Sequence, residues 1–141
     1  MGALITRLPK GLRVGGNLDL RATAIDKLPD GLKVDGNLDL SGTCIRELPK
    51  KLRVGGDLYL VSSLITKLPE RLILNGGLDI SGTTVKCLPK QLKVGSWLNL
   101  SGTLISKLPK KLVVGKWLEI RGTDIGRLPK SVHIGGELFA G

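Results

Sequence analysis

The chain has 141 residues and a formal net charge of +10, from 22 Lys and Arg against 12 Asp and Glu, with two Cys and one His. No stretch reaches the roughly 18 apolar residues that a membrane-spanning helix needs, and the charges close behind Met1 break any apolar leader, so a cytoplasmic protein is expected. Secretion as an effector without a visible signal stays open.

In chain order, residues 1–7 read as the tail of a repeat unit through Leu4 and Ile5. The start also fits a loose N-myristoylation pattern at Gly2 and Thr6, but Thr6 shares its slot with Thr66 and Ser106, so the repeat accounts for it. Leu-Pro then recurs at Leu8, Leu28, Leu48, Leu68, Leu88, Leu108 and Leu128, a period of 20 residues without insertion or deletion. A fixed period of this size marks a solenoid, whose units bury their apolar faces only by stacking on one another. The expected fold is an all-β, right-handed solenoid of seven coils over residues 1–141, a single domain without helices and, at about 4.8 Å per coil, about 34 Å long.

Positions are counted from each Leu-Pro. In the first coil the inward set is Leu8, Leu12, Val14, Leu18, Leu20 and Ile25, with Thr23 among them. Alternation at positions 11 and 13 (Leu18, Leu20) is that of a strand with one buried face. Positions 5 and 7 (Leu32, Val34) suggest a second, shorter run. Gly-Gly between the two runs, as at Gly15 and Gly16, is expected to supply the positive φ of a corner, and Pro at position 2 marks a turn. Position 16 is Thr or Ser in every complete coil, so its hydroxyls are expected to form a hydrogen-bonded ladder between coils.

The segment Leu38, Leu40, Thr43, Ile45, Leu48, Pro49 resembles the consensus of leucine-rich repeats, with Thr where Asn is usual. The 20-residue length and the leading Leu-Pro are similar to a short bacterial subclass found in secreted effectors. The resemblance implies a curved solenoid with a parallel sheet on its concave side, serving as a binding surface. The second Leu-Pro of that subclass is missing, so the convex side reads either as a horseshoe's back or as the second sheet of a flattened β-helix. Within these 141 residues no catalytic domain is expected beside the repeats.

The outward slots of the main strand carry the functional signal. Position 10 reads Asn17, Asn37, Asp57, Gly77, Trp97, Trp117, Glu137, and position 12 reads Asp19, Asp39, Tyr59, Asp79, Asn99, Glu119, Phe139. Trp97 and Trp117 occupy one slot in adjacent coils, so their rings should touch on a solvent-facing sheet, where tryptophan is enriched in binding hot spots. The reading is a non-enzymatic module that binds a partner protein there. Trp97, Trp117 and Tyr59 would anchor it, with Asn99, Glu119, Arg121 and Asp79 as polar selectors. The plainer reading of the tryptophans is cross-strand packing.

The runner-up partner is nucleic acid or another anionic polymer, held on a basic ridge at the Leu-Pro corner through Lys50, Lys51, Lys90, Lys110, Lys111 and Lys130. A third reading is a self-assembling rod or homodimer through uncapped ends at Leu138 and Phe139. Asp19 and Asp39, one coil or about 5 Å apart, have the separation of a retaining glycosidase pair or of shared cation ligands, but no cleft accompanies them. His133 stands alone, and Cys44 and Cys87 lie about two coils apart, too far for an unstrained disulfide. Catalysis, a metal and a cofactor are therefore not expected.

Overall fold

The computed structural model describes residues 7–141 and, among them, contains no helix and fourteen short strands. Leu4, Ile5, Gly2 and Thr6 lie outside the described residues. Each coil contributes two strands, an early one at positions 6 and 7 and a later one at positions 11 and 12. The early strands are β1 (Arg13–Val14), β3 (Lys33–Val34), β5 (Arg53–Val54), β7 (Arg71–Leu74), β9 (Gln91–Val94), β11 (Val113–Val114) and β13 (His133–Ile134). The later ones are β2 (Leu18–Asp19), β4 (Leu38–Asp39), β6 (Leu58–Tyr59), β8 (Leu78–Asp79), β10 (Leu98–Asn99), β12 (Leu118–Glu119) and β14 (Leu138–Phe139).

The later strands form one continuous parallel sheet in the order β2-β4-β6-β8-β10-β12-β14. Every residue pairs with the one 20 positions on, Leu38 with Leu58 and Asp39 with Tyr59, so the invariant period sets the register. The chain is thus a parallel β-solenoid, and its opposite side is also a sheet, as a flattened β-helix requires. That second sheet is divided into β1-β3-β5 and β13-β11-β9-β7, with no pairing between β5 and β7. Where most coils close a turn by donating from position 5 to the proline carbonyl (Leu12 to Pro9, Leu52 to Pro49), the coils of β7 and β9 extend the strand to four residues.

The core is a column of aliphatic side chains. In the second coil Leu28, Leu32, Val34, Leu38, Leu40 and Ile45 are all buried, and the same slots repeat through the central coils. Each contributes about 1.5–3 kcal/mol by leaving water. In the first coil Leu8, Leu12, Val14 and Leu18 are only partly buried and pack against the core column.

Two expectations about corners are corrected. Positive φ belongs to position 4 (Gly11, Gly31) and position 15 (Gly42, Gly82, Gly102, Gly122), not to the Gly-Gly pairs. The pairs are small because coils approach there: a Cβ on Gly55 would lie 2.2 Å from the Asp35 carbonyl oxygen. The position 16 hydroxyls also bond within their own coil rather than between coils. Thr43 Oγ1 donates to the Leu40 carbonyl at 2.6 Å and Thr83 Oγ1 to that of Ile80 at 2.7 Å, closing the turn after the later strand.

Candidate recognition surface

The outward face of the seven-stranded sheet divides into two halves that solve one backbone problem differently. In the first half the position 10 side chain accepts the main-chain N–H of the next coil: Asn17 Oδ1 from Asn37, Asn37 Oδ1 from Asp57, and Asp57 Oδ1 from Gly77, at 2.7–2.8 Å. Gly77 has no side chain, and the ladder stops there. The Trp97 ring lies on the space this leaves, since a Cβ on Gly77 would stand 2.2 Å from its Cε2.

A row of aromatic rings flanks Gly77 and continues beyond it. Tyr59 and Trp97 are 5.7 Å apart between ring centroids, Trp97 and Trp117 stack at 5.3 Å with planes 11° apart, and Phe139 meets Trp117 edge-on at 6.0 Å. The sequence holds two Trp, one Tyr and one Phe, so every aromatic residue of the chain stands in this one row and none in the core. All four are half-buried, each ring covering its neighbour, so less of the indole faces is open than outward slots alone suggest. Such pairs contribute about 0.5–1.5 kcal/mol each beyond their buried area.

The acid and amide side chains of position 12 turn back onto their own strand. Asp39, Asp79 and Asn99 accept the main-chain N–H two residues on, from Ser41, Ser81 and Ser101, at 2.9–3.0 Å. Asn99 Nδ2 reaches Asp79 Oδ2 at 3.5 Å. Glu119 is buried, accepting from the Arg121 main chain and guanidinium at 2.9 Å, while Arg121 stays exposed with its guanidinium carbon 5.6 Å from the Phe139 centroid. That guanidinium holds the Glu119 carboxyl below its ordinary range. Asp19 is lowered in the same way by Arg21, which bonds it at 2.8 Å and stands 3.6 Å from Asp39. The two aspartates that sequence alone offered as a paired-acid site thus share a guanidinium. Burial first, and the Asp57 carboxylate second, push the Tyr59 phenol up, and its O–H donates to Asp57 Oδ2 at 3.3 Å.

Around the rest of the coil the surface is basic. Lys50, Lys51, Lys90, Lys110, Lys111 and Lys130 are all exposed along the Leu-Pro corner, interrupted by Asp30 and Glu70 in the same column. Positions 10, 12 and 14 carry six of the 12 acids and two of the 22 basic residues, so charge is segregated by face. Leu138 is 41% exposed at the last coil, and Cys44 and Cys87 are free and exposed. Among the described residues no group of three His, Cys, Asp or Glu could hold a metal ion, and no helix is long and apolar enough to cross a membrane. No family model and no curated protein matches the chain.

The polar ladder and its end at Gly77 were not anticipated from sequence. The signal was present: Gly77 is the one glycine in its column, directly before the first Trp.

Proposed function

We propose that this protein is a non-enzymatic recognition module that holds a partner protein on the outward face of its seven-stranded sheet, around Trp97 and Trp117. One observation carries the reading: all four aromatic residues line up on that face while the core is wholly aliphatic. A core gains as much from Phe or Tyr as from Leu, so restricting large rings to the surface favours contact over stability. Trp97, Trp117 and Tyr59 anchor; Asn99, Arg121 and Asp79 offer polar groups at the rim, and Glu119, being buried, acts by positioning Arg121. The Leu-Pro repeat supports placing the chain beside the short bacterial leucine-rich repeats, with Thr in the ladder slot, and the cytoplasm is the compartment that its free thiols favour. The reading uses no catalytic residue and no cofactor.

A second reading has its own observation. The six exposed lysines of the Leu-Pro corner recur at one- or two-coil steps, about 5–10 Å, broken by Glu70, a spacing that an anionic polymer could follow. Self-association through Leu138 and Phe139 is a third.

Affinity capture from a host lysate, with and without nuclease, tests these readings using the wild-type protein and Trp97→Ala/Trp117→Ala. The expected result is a protein retained through nuclease treatment and lost with the variant, whose thermal melt stays cooperative. Nucleic acid held equally by both would move the function to the lysine ridge.

A further inference from the structure

The acidic half of the face carries a more specific message, which rests on the recognition reading. At two places the chain seats its own guanidinium on this face. Arg21 bonds Asp19 at 2.8 Å and reaches Asp39 at 3.6 Å, and Arg121 bonds Glu119 while lying 5.6 Å from the Phe139 ring centroid. Both arginines occupy position 14. In the four coils between them that position is Ser41, Val61, Ser81 and Ser101, which are uncharged.

The carboxylates and rings nevertheless continue through those coils. Tyr59 pairs in register with Asp39 on one side and Asp79 on the other, its O–H rests on Asp57, and Trp97 stands 5.7 Å away. Asp57 and Asp79 form no ion pair among the described residues. Their oxygens accept only from neutral groups: the Gly77 and Ser81 main chain, the Tyr59 phenol and the Asn99 amide. This is the carboxylate-and-ring surrounding that Arg121 occupies further along, without a guanidinium from the chain itself.

We infer that the partner segment bound on this face is basic, and that it seats an arginine or lysine over Tyr59 between Asp57 and Asp79, with apolar residues following along Trp97 and Trp117. Charge complementarity sets the class. The face is acidic on a molecule of net charge +10, so it attracts cations where the rest of the surface repels them. A guanidinium fits better than an ammonium, because it bonds carboxylates with a planar fork and stacks on rings. An extended segment covers the three coils from Tyr59 to Trp117, about 14.4 Å, with about four to five residues, so a short linear motif suffices.

The test is selection of peptides from a phage-displayed random library on the immobilised wild-type chain, followed by binding of the selected peptides to two variants. Asp57→Asn/Asp79→Asn removes both charges yet keeps the acceptors, as Asn37 and Asn99 show in the same two slots. Trp97→Ala/Trp117→Ala removes the rings. The expected peptides are rich in Arg, bind at least about tenfold more weakly to the Asp variant, the effect of one charge-assisted contact, and weaken at high salt. Peptides without basic enrichment, unaffected by the Asp variant but lost with the Trp variant, would overturn the basic-partner inference and leave the recognition reading standing. Peptides indifferent to both variants would overturn both. A dimer of the chain that the Asp variant dissolves, seen by sedimentation, would overturn it too, giving the face to a second copy.

Discussion

Ser62 and Ser63 show how narrowly each slot of the repeat is specified. Position 15 needs a left-handed backbone, and Ser62 adopts φ 54° where Gly42, Gly82 and Gly102 sit near 70° at no steric cost. Ser62→Gly is therefore expected to raise unfolding stability by about 0.5–1 kcal/mol, the strain relieved less the extra freedom of the unfolded chain, as read by urea titration. Ser63 is buried and its hydroxyl has no partner among the described residues, whereas Thr43 and Thr83 in the same slot donate to the carbonyl three residues back. Ser63→Thr should add about 1 kcal/mol, because the methyl narrows the rotamers towards that bond. Gly77 works in the opposite sense. Gly77→Ala places a Cβ into the Trp97 ring, so its tryptophan emission should shift to the red while the coil stays folded. The alternation of Leu and Val announced the inward slots plainly, because burial at period two has few solutions. Left-handed corners were less legible: Ala22 and Ser62 take them without being glycine, and the Gly-Gly pairs do not.

At the scale of the strand, two devices hold the large sheet together on its outward side. The polar one is the ladder from Asn17 through Asn37 to Asp57, each side chain satisfying the next coil's N–H. Asn37→Ala leaves the half-buried Asp57 N–H without that acceptor, and a loss of about 1 kcal/mol of unfolding free energy, read as a lower urea midpoint at unchanged slope, is expected. The aromatic device begins where the polar one ends. Position 12 adds an ionic contact at Glu119, whose carboxyl in the folded chain is held below its ordinary value of 4.5 by Arg121. A depressed folded value gives stability that is present at neutral pH and lost as pH falls through that lowered value. Thermal melts from pH 7 down to pH 3 should therefore show a smaller acid loss in Glu119→Gln than in the wild type. Sequence revealed which residues share this face, since a period of 20 aligns them without ambiguity. It did not reveal that the acids bend back to cap the turn or that Glu119 is buried, because those depend on side-chain torsions that periodicity leaves free.

For the whole molecule, the repeat separates two roles that small globular proteins usually mix. Aliphatic residues hold the rod together, while the rings and half of the carboxylates stand on one outward sheet, with a predominantly basic surface around the remainder. The break between β5 and β7 leaves the two halves joined on the other side only by the large sheet and the core, so the recognition face is also the continuous structural element. The central claim is that this face, not the lysine corner, meets the partner. Site-specific photocrosslinking in the host tests it most directly, with a photoreactive residue placed at Ser81 on the rim of the sheet face or at Lys90 on the Leu-Pro corner. A protein adduct from Ser81 that disappears in the Trp97→Ala/Trp117→Ala background, with none from Lys90, is the predicted result. Adducts from Lys90 alone, to protein or to nucleic acid, would contradict the claim and return the aromatic row to a packing role.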